Sequence, residues 1–112
     1  MKILPACICR ESPLTLNAYQ TLTARTQGND TLAVLALGVA GEAGEVADHI
    51  KKHLGHGKAL DKPALMLELG DVLWYVARLA DAIGYSLEEV AAANITKLEH
   101  RYPNGFPNGT EK

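Results

Sequence analysis

Glu42 and Glu45 stand three residues apart in Gly41-Glu42-Ala43-Gly44-Glu45-Val46-Ala47-Asp48, and the spacing recurs in Glu68-Leu69-Gly70-Asp71. On a helix, residues so spaced project about 60° apart around the axis, so each pair is a two-pronged acidic fork. Two forks facing each other make a cage of carboxylates that repel by about 3 kcal/mol per pair at ~5 Å and an effective dielectric near 20. Such a cage calls for a cation. Oxygen donors suit a hard divalent ion, and without cysteine or clustered histidine ligands Mg2+ or Mn2+ is favoured over Zn2+. The plainer reading, solvent-facing helix glutamates, is the default for an isolated Glu-x-x-Glu. Two acidic pairs, both set in apolar helices that carry glycines, favour a site.

The glycines sharpen that reading. Gly38, Gly41, Gly44 and Gly70 each cost about 1 kcal/mol relative to alanine in a helix interior. Missing side chains there either let two helices approach closely or leave room for a ligand beside the metal. A second surface comes from Asn94, Lys97 and Arg101, which share a helix face at i, i+3 and i+7. Beside an acidic metal cage, two cations and an amide would suit a phosphate chain, with Lys51 and Lys52 able to help. On spacing alone the same residues read as a solvated basic face near a helix C-terminus, which the helix dipole favours. His49, four residues after Glu45, could touch the site. It and His53, His56 and His100 are nonetheless read as ordinary helix or loop histidines. Tyr75 and Arg78, at i+4 and i+7 from Asp71, are weaker candidates for substrate contact, and Trp74 is assigned to the core.

These residues must be positioned by helices. The 112 residues suffice for one domain. Residues 1–13 show no periodicity and contain two prolines, so they read as an irregular arm. A first helix is predicted over Leu14–Thr26 with Thr15 as N-cap, closed near Gly28. Asp30 is positioned to cap a second, Thr31–Leu54, which Gly55-His56-Gly57 ends. The first half of that helix is apolar nearly all round, which predicts burial on every side. So short a chain has few elements to surround it, and helices from another subunit are expected to do so. Asp61 and Pro63 start a third helix, Lys62–Ile83, and Gly84 stops it. Ser86-Leu87-Glu88-Glu89 is a capping box for a fourth helix reaching about His100. No strand-like alternation or internal repeat is evident, so the chain reads as an all-α, four-helix bundle-like domain over residues 14–106, with a flexible tail over 107–112.

Net charge is −2 with both signs dispersed, which argues against a surface for nucleic-acid polymers. Cys7 and Cys9 have no second pair to complete a zinc site and suggest a reducing compartment. The start lacks the apolar run of a signal peptide, and the longest apolar stretch falls well below the ~18 residues of a spanning helix. A cytoplasmic protein without membrane attachment is expected.

Three blocks together carry a resemblance: Gly41-Glu42-Ala43-Gly44-Glu45, Glu68-Leu69-Gly70-Asp71, and Asn94-Ile95-Thr96-Lys97-Leu98 leading into Arg101-Tyr102-Pro103-Asn104-Gly105-Phe106. In order and spacing they resemble the MazG-like nucleotide pyrophosphohydrolases, from about Leu32 to Phe106. The resemblance implies an all-α fold completed by formation of a homodimer or homotetramer. It also implies Mg2+-dependent hydrolysis of a (deoxy)nucleoside triphosphate to the monophosphate and pyrophosphate, in nucleotide-pool clearance. Carried onto this chain, Glu42, Glu45, Glu68 and Asp71 hold the metals, Asn94, Lys97 and Arg101 meet phosphates or sugar, and Tyr102 lines the nucleotide pocket. Lys52 is the helix-two cation expected to assist. Some relatives carry a further glutamate just before the first acidic pair, proposed to activate the attacking water. Gly41 occupies that position here, so Glu42 or Glu45 is expected to take the role. The alternative is a catalytically weak nucleotide-binding or helical interaction module of the same fold.

Overall fold

The computed structural model describes residues 13–106, which form four α-helices and one 3-10 turn and, among the described residues, no strand. The proposed arm, with Cys7 and Cys9, and the proposed tail lie outside the described residues, save for Pro13.

Each helix begins where a side chain can satisfy the free N–H groups of its first turn. Helix α1, Leu16–Thr23, is capped by the Thr15 hydroxyl, which accepts from Ala18 N at 3.0 Å. It runs into a 3-10 turn, Ala24–Thr26, ended by extended Gln27. Gly28 does not adopt the left-handed cap conformation expected of it. Helix α2, Leu32–Gly55, is capped by Thr31 and not by Asp30: the Thr31 hydroxyl accepts from Val34 N at 3.3 Å, the three-residue reach a cap requires, and Asp30 is one position too early. Helix α3, Lys62–Ala82, starts at Asp61, whose carboxylate accepts from Ala64 N at 3.1 Å. Gly84, at φ 91°, ends it with Tyr85 N bonded to Ala80 O and Gly84 N to Asp81 O, the paired closure that satisfies its last carbonyls. Ser86 and Glu89 form both bonds of the predicted capping box, at 3.0 and 2.8 Å, and open α4, Leu87–Arg101.

Helices α2 and α3 pair as one long hairpin, while α1 lies against α3 and α4. The joint between α1 and the α3–α4 corner is largely polar. Gln20, buried in α1, donates to Ala77 O and Tyr85 O at 3.1 Å and accepts from Leu87 N at 2.8 Å. Arg78, only 4% exposed, donates from Nε to Thr23 Oγ1 at 2.9 Å, from Nη2 to Gln20 O at 3.0 Å and from Nη1 to Gln27 Oε1 at 2.6 Å. No buried side-chain N or O among the described residues lacks a partner. Arg78 is thus a clamp between helices, its guanidinium bonded to α1 and to the residue that ends the 3-10 turn.

The apolar core of a single chain is small, made of Leu35, Ala77, Ala80 and Leu87. The all-round burial predicted for α2 is not supplied by its own chain. Leu35 is fully covered, yet Leu32, Val34 and Leu37 are 54%, 46% and 71% exposed, because α2 packs chiefly on α3. No helix among the described residues is long and apolar enough to cross a membrane.

Candidate metal centre

The α2–α3 hairpin brings the two forks together, and three of their carboxylates converge. One oxygen each from Glu42, Glu68 and Asp71 lies within 4.8 Å of the others. Metal–oxygen bonds of about 2.1–2.4 Å place ligand oxygens roughly 3–4.8 Å apart in a coordination shell, so this spread fits a hard divalent cation. None of the three carboxylates has an ion-pair partner among the described residues. Burial, then the charges of Asp71, Glu68 and Glu45, raise the Glu42 pKa above the ordinary glutamate value. Unpaired carboxylates gathered at this separation are the donor set that Mg2+ or Mn2+ would take. Glu45, one turn along α2, is exposed and stands outside the trio.

Two clefts border the trio. In the first, of about 250 Å³, Glu45 and Glu68 meet Asp48, His49, Lys52, His53, Lys58 and Asp61. Lys52 is held by Asp48 at 3.0 Å, which raises the Lys52 pKa and lowers that of Asp48, while Lys58 has no ion-pair partner among the described residues. His53 Nδ1 lies 2.6 Å from Lys58 O. A carbonyl can only accept, so Nδ1 carries the proton, and in the neutral ring Nε2 is left as an acceptor. The second cleft, of about 310 Å³, is lined by Glu42 and Asp71 together with Thr26, Trp74 and Tyr75. Trp74 is half-buried cleft wall rather than core: its indole donates to Thr26 Oγ1 at 2.8 Å, and its ring meets Tyr75 edge-to-face at 4.9 Å. The Tyr75 ring lies on Gly38, where an added Cβ would overlap Cδ1 and Cε1. Gly41, Gly44 and Gly70 border open space, so the close-approach reading of the glycines holds at Gly38 alone.

Helix α4 contributes a separate surface. Asn94 and Lys97 line a shallow depression with Val90, Ala91 and Ala93, to which no carboxylate of the trio belongs. The Arg101 guanidinium lies 5.8 Å from the Tyr102 ring centroid, and Tyr102 meets Phe106 edge-to-face at 5.0 Å. Sequence reasoning did not single out Tyr19, an α1 side chain whose phenol pKa is raised by burial and then by the charge on Asp71. It also set aside His49 and His53. Their signal was the i+4 and i+8 spacing from Glu45, while Tyr75, the weaker candidate at i+4 from Asp71, lines the second cleft.

An all-helical hairpin presenting Glu-x-x-Glu against Glu-x-x-Asp defines a class, and the family comparison agrees. The chain belongs to the MazG nucleotide pyrophosphohydrolase domain family, whose model matches residues 30–106. It is also similar to the "Gene 37 protein" of Mycobacterium phage L5, 37% identical over 83 residues that cover 70% of this chain and 73% of that one. No solved structure is significantly similar to it.

Proposed function

We propose that the protein hydrolyses a nucleoside or deoxynucleoside triphosphate to the monophosphate and pyrophosphate, with Mg2+ or Mn2+ as cofactor. The observation that carries this reading is the convergence of Glu42, Glu68 and Asp71, without cationic partners, between two clefts. Glu42, Glu68 and Asp71 would hold the metal, which when bound supplies charge neutralisation for the triphosphate and lowers the pKa of water. The chain's own contribution is placement and proton transfer. Glu45, exposed one turn beyond the trio, is free to take the proton of the attacking water, the role that Gly41 cannot fill. Water adds at the α-phosphorus, the bond to the bridging oxygen of the β-phosphate breaks, and pyrophosphate leaves. A reaction of this type depends on charge stabilisation rather than on a covalent nucleophile.

The exposed apolar side chains of α2 support a homodimer or homotetramer in which helices of other copies cover Leu32, Val34 and Leu37. Asn94, Lys97, Arg101 and Tyr102 then serve phosphates, sugar or nucleotide pocket as the family resemblance implies, and a role in clearing the cytoplasmic nucleotide pool follows from the same reading. The test is a panel of ribo- and deoxyribonucleoside triphosphates with Mg2+, with products identified. Monophosphate and pyrophosphate from at least one member are expected. Release of orthophosphate and diphosphate, or no turnover of any member at micromolar enzyme, would exclude the proposal.

A further inference from the structure

The two clefts beside the carboxylates differ in chemistry, and that difference gives the substrate a direction. The Glu45–Glu68 side carries Lys58, Lys52 paired with Asp48, two imidazoles and Asp61, and has no aromatic carbocycle. The Glu42–Asp71 side carries two aromatic rings and a threonine and has no cation. In a nucleoside triphosphate cleaved between the α- and β-phosphates, the α-phosphorus must sit at the carboxylates. The nucleoside is then one phosphoester away on one side, and the two outer phosphates lie on the other. Phosphate oxygens are matched by ammonium groups such as that of Lys58, and a base or sugar face by aromatic carbon.

We propose that the nucleotide lies across the carboxylate trio with its nucleoside in the Thr26–Trp74–Tyr75 cleft and its outer phosphates toward Lys58, an assignment that rests on the pyrophosphohydrolase reading above. Three features prepare the aromatic side. The Trp74 indole is fixed by its bond to Thr26, so the wall is held before substrate arrives. The Tyr75 ring is seated on Gly38, one turn of α2 before Glu42, which brings the ring to the level next to the metal-binding carboxylates. The Tyr75 hydroxyl makes no hydrogen bond with any described residue and is available to a sugar or base. Gly38 is therefore a positioning residue for the nucleoside, because any side chain there displaces Tyr75.

Trp74 is the chain's single tryptophan, so its emission reports on this cleft alone. The probes are α,β-methylene triphosphates of adenine, guanine, cytosine and uracil nucleosides, and inorganic tripolyphosphate, each titrated with Mg2+ into the full-length protein. At least one nucleotide should change Trp74 emission saturably, whereas tripolyphosphate, which has no nucleoside, should bind by calorimetry and leave the emission unaltered. Tyr75→Leu should weaken that nucleotide by about tenfold, the scale of one lost aromatic stack, and change tripolyphosphate affinity by less than about twofold. Gly38→Ala should act in the same direction, and Tyr75→Leu keeps the test intact if Gly38→Ala does not fold. Equal emission changes with tripolyphosphate and nucleotide, or equal losses of both affinities in Tyr75→Leu, would overturn the placement. Turnover of the parent triphosphates by the unaltered protein is followed in parallel. Its absence removes the hydrolase reading, whereas turnover with Trp74 silent and Tyr75→Leu unaffected removes only this orientation.

Discussion

Glu42 is surrounded by like charge, and its ionised form is disfavoured by burial first and by Asp71, Glu68 and Glu45 next. Because its pKa in the folded chain is raised, the native state takes up a proton before the unfolded chain does as pH falls. Between the ordinary glutamate value, about 4.3, and the higher folded one, acidification therefore favours the native state. At neutral pH the repulsion is present in full. Glu42→Gln should accordingly raise the Tm of the metal-free protein at pH 7, an advantage that shrinks on acidification and is lost in saturating Mg2+. Differential scanning fluorimetry in EDTA and in Mg2+ across pH checks this, and a metal-free Glu42→Gln protein that melts below the unaltered one at pH 7 would refute it. At this scale the sequence was legible in part. The i, i+3 spacing identifies residues that share a helix side, and Glu42, Glu68 and Asp71 do meet. It does not fix how far each carboxylate reaches, which is why Glu45 stands apart. Trp74, read as core, is instead a half-buried cleft wall, its indole bonded to Thr26 and its ring against Tyr75.

At the scale of elements, the hairpin that carries both forks is held at one end by a polar clamp. Arg78 binds the C-terminal end of α1 and the residues after it, and Gln20 ties α1 to the α3–α4 corner. These bonds lie in a nearly dry joint, where removing one partner leaves others buried and unpaired. Arg78→Ala should cost about 3 kcal/mol in urea-induced unfolding, and Arg78→Lys should recover little, since one ammonium cannot reproduce the planar fork. An Arg78→Ala protein within about 0.5 kcal/mol of the unaltered one, the range of ordinary surface substitutions, would show that the clamp does not hold α1. Helix positions were readable because caps are local: Thr15, Asp61 and Ser86 each act within three residues. The clamp was not, because Thr23 and Arg78 are 55 residues apart and nothing in their types announces the pairing.

For the whole molecule, the four buried apolar side chains contrast with the exposed leucines and valine of α2. The apolar run from Leu32 predicts burial on every side, but a single chain supplies chiefly α3 as a neighbour and leaves Leu32, Val34 and Leu37 exposed. Leu37→Glu should leave the fold of one chain intact, since Leu37 is 71% exposed there, and shift the protein toward monomer in sedimentation velocity. An unaltered protein that sediments as a monomer at tens of micromolar would remove the second copy from the account.

The carboxylates joined across the α2–α3 hairpin are proposed to bind the metal on which pyrophosphate release depends. Glu68 tests this role most directly, because it belongs to the trio and also borders the cleft assigned to the outer phosphates. Pyrophosphate release and the Mg2+-induced rise in Tm are measured together for the unaltered protein and for Glu68→Gln, with circular dichroism confirming equal helix content. Glu68→Gln should lose at least about a hundredfold in turnover, the few kcal/mol expected for removing preorganised charge from such a site, along with most of the Mg2+ stabilisation. A folded Glu68→Gln protein with unchanged turnover and an unchanged response to Mg2+ would contradict that role.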